Sequence, residues 1–575
     1  MSVLVAAATG REPADSLRTL LTSRIAGGDT AMARHEDLVV VHDTGSRFID
    51  SYDDGVVLVV LDGRIHNISA ATGQAALLRE RYRESGAALA EGLLGDFVLV
   101  VLDRESSRLL VARDPIGVRP WYQAPGVMGH AGASDVATLA SLPWVDAGLN
   151  ERIAIEHLAA RPASRGETIY RGIRTLRPGE TWSVDVGGSR TFAHHRWDFE
   201  PDLDIAWDEA AERCRVLLDE AVRCRLEVGG PATGELSGGL DSSSVVGTMA
   251  LLERDDLLVG RLVFDGHRAD ERFYSDAVVD HWGIEAVSAD PWMPARDEWR
   301  DLTRSLRRPL PDPNFTMFAG LHRMLLKRGR PDGLTGLGGD DAFVASRVAS
   351  RTMSAVKLRR GDVIGDLLRA TVEDPRQAWI DVVRPTLHHL APWRGDRLPR
   401  WISERAASRA DLPGLFRRRP KRVTGVAAMD ERIANLTSGY DAAILEDRAV
   451  VIDAEGRRES HPFLDPRFIE ATYCLDPWWP TRDGHVRALQ VEAFADRLPA
   501  VVAERRSKAD FSEVFWPQLL DEETLDSVRT GPLVEVGWLD SQGFEELVVN
   551  AREGKANAAI PLSRCVSLDR WMRTR

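Results

Sequence analysis

Ser237-Gly238-Gly239-Leu240-Asp241-Ser242-Ser243-Ser244 combines residue types that together can hold phosphate. Glycines allow a tight turn and let backbone N–H groups come close to an anion. The serine hydroxyls add donors, and the helix-like run 245–252 adds the positive end of its dipole. The segment 234–236 in front reads as the end of a strand. No lysine stands where a P-loop kinase grips the transferring phosphates, so Walker-type chemistry fits poorly. Asp241 instead places a carboxylate beside bound phosphate, which is tolerable only with a cation such as Mg²⁺ between them. A lone Ser-Gly-Gly would be an ordinary turn. The full string between a strand and a helix points to a pyrophosphate loop.

Thr335-Gly336-Leu337-Gly338-Gly339-Asp340-Asp341 is a second glycine-hinged turn after strand-like 333–335, and Asp340 or Asp341 offers an oxygen ligand for Mg²⁺. Alone, it is equally well a β-turn with a helix N-cap. Paired with 237–244, it makes a metal clamp with carboxylates from two strand ends. Arg505-Arg506-Ser507-Lys508-Ala509-Asp510-Phe511 gathers positive charge, and Lys508 could stabilise charge developing on an α-phosphate and an acyl oxygen. Charge alone favours a solvent-exposed helix end there. The run Arg417-Arg418-Arg419-Pro420-Lys421-Arg422 reads as a solvated loop or helix end, with contact to an acidic partner as the minor reading.

Two kinds of element must position these residues. Residues 1 to about 200 alternate short β-type runs with turns: 56–61 closing at Asp62-Gly63, then 97–102 with 108–112 as its partner. Helical patterns at 73–90 and 150–160 make this an α+β layered domain. The break falls near 197–202. Beyond it come a long amphipathic helix (206–226), the strand before the cradle, strands at 257–264 and 285–288, and helices at 274–283 and 316–328. That alternation predicts a parallel sheet flanked by helices, with ligands at the carboxyl ends of its strands. Residues 345–520 read as mostly helical.

The chain has 575 residues, more than one core usually holds, so two domains are expected. With 44% hydrophobic and 28% charged residues it reads as an ordinary globular protein. A net charge of −14 argues against non-specific nucleic-acid binding. Four scattered cysteines (Cys214, Cys224, Cys474, Cys565) suit buried thiols in a reducing cytosol rather than disulfides or zinc. The apolar start 3–8 is too short for a secretory segment, and runs 55–61 and 97–102 are strand-sized, so a cytoplasmic protein with no membrane partner is expected.

Several of these strings resemble one superfamily. Residues 237–243 resemble the pyrophosphate loop of the asparagine synthetases and 335–341 their second metal-binding turn. His461-Pro462-Phe463-Leu464-Asp465 is similar to their PFLD segment, and Arg506-Ser507-Lys508 to their R-x-K motif. In the first half, Asp62-Gly63-Arg64-Ile65-His66-Asn67, the segment 112–122 and the turn Arg177-Pro178-Gly179 resemble the class II glutamine amidotransferase domain. The resemblance therefore implies an Ntn-type αββα domain at 1–200 and a helix-rich ATP-pyrophosphatase domain with a parallel sheet at 201–575. Two departures narrow it. A glutaminase of this type needs a cysteine right after the initiator methionine, and this chain has Ser2, a far weaker nucleophile, which implies an inactive first domain. Leu337 stands where asparagine synthetases carry a glutamate and β-lactam synthetases a tyrosine that works with a glutamate as base. Lasso peptide cyclases share the degenerate first domain, and Lys508-Ala509-Asp510-Phe511 and the ending 566–572 resemble theirs.

The implied function is ATP-dependent macrolactam synthesis on a leader-processed precursor peptide, with a leader peptidase and a leader-binding protein as pathway partners. By resemblance, ATP is held by Leu236, Ser237, Gly238, Gly239, Asp241, Ser242, Ser243, Val263, Gly336, Leu337 and Gly338, and Mg²⁺ by Asp241 and Asp340. Lys508 is assigned to transition-state charge and Glu271 to an acidic position near the nucleotide, while Asp465 supports the fold or the surroundings of the site. The alternatives are another amide-forming synthetase, β-lactam synthetase-like or fed by free ammonia, and a non-catalytic paralogue that binds nucleotide or peptide.

Overall fold

The computed structural model describes residues 3–8, 30–69, 73–126, 129–160, 166–185, 188–229, 232–252, 256–294, 296–310, 313–343, 354, 357–358, 398–417, 421–479, 487–505 and 512–575. In the first half the strands are β1 (Val3–Ala8), β2 (Thr30–His35), β3 (Leu38–Asp43), β4 (Ile49–Asp53), β5 (Val57–Ile65) and β6 (Gly95–Asp103). They continue with β7 (Arg108–Arg113), β8 (Tyr122–Gly126), β9 (Gly129–Ala133), β10 (Arg174–Thr175), β11 (Glu180–Asp185) and β12 (Gly188–Ala193). They form two antiparallel sheets, ordered β10-β8-β9-β1-β3-β2 and β12-β11-β7-β6-β5-β4.

Alternation along single strands sets the layers. Leu38 and Val40 of β3 meet Leu58 and Val60 of β5 between the sheets, around Trp121 and Trp182. Val57, Val59 and Leu61 face the other way, under the helix Gln74–Ser85. Val39 and Val41 of β3 also turn away from the inter-sheet core, toward the helix Glu151–Leu158 and the C-terminal helices Ser541–Arg552 and Ala559–Met572. Period-2 side-chain placement thus yields four layers, αββα, one of them completed by the end of the chain.

The expected turn at Asp62-Gly63 does not form; β5 runs straight through it to Ile65. Gly63 has φ +122°, and a Cβ there would lie 2.0 Å from the Asp96 carbonyl oxygen, so the glycine serves close approach of β6 rather than reversal. Asp62 stays in the buried strand because Arg119 and Arg458 pair with it. The expected β6–β7 hairpin forms, with Val100 opposite Val111.

The second half carries β13 (Ala232–Glu235), β14 (Leu258–Leu262), β15 (Glu285–Ala289), β16 (Asp332–Leu334) and β17 (Arg458–Ser460), all parallel, in the order β15-β14-β13-β16-β17. The helices Trp207–Val228, Leu240–Leu252 and Arg272–Trp282 occupy their expected places, and Ala319–Lys327 packs on the opposite face through Leu321 and Leu325. β17 interrupts a stretch expected to be mostly helical. Its Arg458-Glu459-Ser460 has no strand-like composition and is held by pairing with β16. Because the chain steps from β13 outward to β15 and then returns to β16 on β13's other side, the sheet has its topological switch point between β13 and β16. Among the described residues no helix is long and apolar enough to cross a membrane. All four cysteines are buried and unbridged.

Candidate active site

The loops following β13 and β16 meet at that switch point. In the first, the Ser237 N–H and Oγ both meet the Ser242 Oγ, at 3.2 and 3.1 Å, and the Gly239 N–H donates to the Ser237 Oγ at 3.2 Å. The loop thus folds on its own hydroxyls before the helix Leu240–Leu252 begins. Gly238 takes φ +86°, and a Cβ there would lie 2.7 Å from the Ser275 nitrogen, so no side chain fits against the helix Arg272–Trp282. Ser243 is buried, and its Oγ has no hydrogen-bond partner among the described residues.

The second loop packs back to back with the first. A Cβ on Gly336 would lie 2.5 Å from the Ser242 nitrogen, and one on Gly339 would lie 2.3 Å from the Asp241 Oδ1. Gly338 takes φ +95°, and a Cβ there would lie 2.5 Å from the Leu464 side chain. The Leu337 N–H donates to the Thr335 Oγ1 at 3.2 Å, while the Leu337 side chain is exposed. Leu236 donates its N–H to the Gly260 carbonyl at 2.9 Å, and Val263 follows β14 on the same carboxyl edge, bonded to the Ala289 carbonyl. So Leu236, Ser237, Gly238, Gly239, Asp241, Ser242, Ser243, Val263, Gly336, Leu337, Gly338 and Asp340 all lie at the carboxyl edge of three neighbouring strands.

The two proposed metal carboxylates converge on one positive group, which the sequence reading missed. Arg487 places Nη1 2.7 Å from the Asp241 Oδ1, and its Nη2 contacts the Asp340 Oδ1. Gln490 Nε2 donates to the same Asp241 oxygen at 2.8 Å. A basic residue three positions before an amide is too common a pattern to mark them in advance. Two hard oxygen donors already arranged around a cation fit a Mg²⁺ site.

Glu271 stands at the N-cap position of the helix Arg272–Trp282 without a side-chain capping bond, and its carboxylate pairs with Arg505. Arg505 also donates to the Gly238 carbonyl at 3.3 Å and lies over the Tyr274 ring at 4.2 Å. Arg505 therefore fastens Glu271 to the first loop from the chain just before the basic segment. Lys508 and the rest of 506–511 lie outside the described residues, as do Ser2 and 418–420.

Beneath the loops the sheet carries buried charge. His322 lies 3.5 Å from Glu235 and 2.6 Å from Glu455. Burial pushes its imidazole down, but the adjacent Glu235 carboxylate and the hydrogen bond to Glu455 outweigh this and raise it to about 9. Burial pushes the Glu235 carboxyl up, and the neighbouring His322 imidazole with the Arg448 and Arg457 charges overcomes this, holding it well below the usual range. Asp465 is fully enclosed, 3.1 Å from Arg225 and 2.9 Å from Arg467. Burial raises its carboxyl, yet the Arg467 hydrogen bond and the Arg225 charge win and leave it at about 2. It also caps the helix Pro466–Tyr473, as a structural residue would.

In the first half, the glutaminase-like strings are spent on holding the halves together. Arg119 pairs with Asp62 and with Asp453, Arg458 with Asp62, Arg64 with Asp332 at 2.9 Å, and fully buried Arg113 with Glu446 at 2.8 Å.

A family profile described as asparagine synthase matches residues 213–573, and one described as glutamine amidotransferase domain matches 47–197. The chain is 28% identical over 284 residues to the amidase chry2 of Gibberella zeae, covering 46% of this chain and 41% of that protein. It is 24% identical over 245 residues to the glutamine-hydrolyzing asparagine synthetase 3 of Bacillus subtilis, covering 40% of each. This chain spans about two-fifths of the length of these two curated relatives. Among solved structures, the glutamine phosphoribosylpyrophosphate amidotransferase of B. subtilis is similar over 58% of this chain and 81% of that one, with 10% identity and a TM-score of 0.25.

Proposed function

Since the chain belongs to the asparagine synthase family, we propose that it is an ATP-dependent amide ligase that closes a lasso peptide ring, working in the cytoplasm. The observation that carries the reading is the convergence of Asp241 and Asp340, from loops after adjacent strands, on one cation-holding point. A peptide Asp or Glu side-chain oxygen attacks the α-phosphorus of ATP, the bond to the β-phosphate breaks and pyrophosphate leaves. The peptide's N-terminal nitrogen then attacks the acyl carbon, loses a proton and expels AMP.

The chain's residues divide this work. The 237–243 loop binds phosphate oxygens through backbone N–H and hydroxyl groups. Asp241 and Asp340 would hold Mg²⁺, which when bound offsets phosphate charge. Lys508 meets charge developing at the α-phosphate and acyl oxygen. Glu271, fastened by Arg505, fixes the rim of the first loop. Leu337 offers no base, and none is required of it: a peptide α-amine titrates at about 7.7–8.0, so a useful minor fraction is free base near neutral pH, and holding it against the acyl carbon supplies effective concentration. The ion pairs that occupy Asp62, Arg64 and Arg119 support a first domain that serves as scaffold rather than ammonia source. A leader peptidase and a leader-binding protein would deliver the processed peptide.

The test is incubation with MgATP and the leader-processed peptide encoded beside the gene. The expected outcome is a product lighter by one water, with AMP and pyrophosphate released in equal amounts. Amide formation from free ammonia alone, with no cyclised peptide, would replace this reading by an ammonia-fed synthetase.

A further inference from the structure

Arg487 does something the metal clamp alone does not require. Its backbone sits at φ +61°, ψ +38°, the left-handed region that a branched or long side chain enters only when its surroundings impose it. From there one guanidinium reaches both carboxylates, and Gln490 steadies the arrangement by bonding Asp241 while lying 3.5 Å from Arg487. Without that positive group, Asp241 and Asp340 would face each other as like charges, which drives carboxylates apart or protonates one of them.

We propose that Arg487 is the resident counter-cation of the Asp241–Asp340 pair, and that it yields them only to a divalent ion arriving with the triphosphate. This rests on the reading of those aspartates as the metal ligands. A guanidinium matches carboxylate and phosphate oxygens equally well, so Arg487 can exchange its aspartates for phosphate oxygens at no loss of partners. A bare metal ion offers it no such exchange. The free protein therefore binds divalent ions weakly, and metal and nucleotide bind far better together than apart. Ordered delivery of this kind keeps an idle site from being occupied by metal alone.

The experiment titrates Mn²⁺ into the full chain without nucleotide, following the signal of free Mn²⁺ by electron paramagnetic resonance. Melting temperature is measured with and without the ion. Arg487 is 11% exposed and Asp241 19%, but Asp340 is 44% exposed, so solvent screens part of the competition. Arg487→Gln should then tighten Mn²⁺ about tenfold, melt earlier without metal and recover with it. Arg487→Lys keeps a charge but loses the two-sided bridge, and should tighten Mn²⁺ by about threefold, which guards against misfolding of the glutamine variant. Asp241→Asn should abolish Mn²⁺ binding in either background. If neither Arg487 variant gains affinity while Asp241→Asn still abolishes it, the counter-cation is refuted and the clamp stands. If Asp241→Asn leaves Mn²⁺ binding unchanged, the clamp falls and the counter-cation with it.

Discussion

Lys508 is assigned to charge that exists only at the summit of the reaction, so its removal should separate binding from chemistry. Lys508→Ala should keep nucleotide affinity within about twofold while product formation drops about a hundredfold or more. Nucleotide titration and ring-closure rates on one preparation check this; equal loss in both would make Lys508 a binding residue. Arg487 and Gln490 show how residues of ordinary type gain a role through company, since each contacts Asp241 from a distant part of the chain. Asp465 shows the reverse: a motif residue whose carboxylate is consumed by Arg225, Arg467 and a helix cap.

At the scale of elements, the two glycine loops depend on having no side chains where they touch. Gly336→Ala would set a Cβ against the Ser242 nitrogen at 2.5 Å, a backbone contact that cannot swing away. It should cost about 1–3 kcal/mol of stability and weaken nucleotide binding at least about tenfold, read by melting and titration. The sheet below is clamped by His322, and its titration has a definite sign. Because its folded value, about 9, lies above the ordinary 6.5, its contribution is complete below pH 6.5 and disappears as pH rises through 9. The melting temperature of His322→Gln should therefore fall furthest below that of the parent near pH 6 and approach it by pH 10. A gap that stays constant across this range would show that His322 acts by shape alone.

For the whole molecule, charged contacts join the two halves. Asp62 is fully buried between Arg119 and Arg458, so Asp62→Asn should cost about 3–5 kcal/mol by leaving Asp453 as the one carboxylate that both guanidinium groups share. Ser2→Ala, by contrast, should leave cyclisation unchanged within about twofold; a large loss would revive a catalytic first domain. The C-terminal helices share one apolar core with β3, and the last of them packs on the helix Glu151–Leu158 and sets Trp571 against Tyr170, which ties the end of the chain to the first half.

Much of this was legible beforehand because it is local. A Ser-Gly-Gly turn between strand and helix, a glycine-hinged acidic loop and alternating apolar runs act through neighbours in the chain; a layered α+β first half and the parallel sheet follow from them, while the αββα order was implied by the family resemblance. What needed the tertiary structure was everything spanning distant positions. β17 is a strand only because β16 lies beside it, and Asp62-Gly63 continues a strand because β6 and two arginines cover it. Arg487 lies 246 positions from Asp241. Only closure of the fold decides which cation stands between two acids, because no periodicity or spacing encodes a contact made across so long a loop.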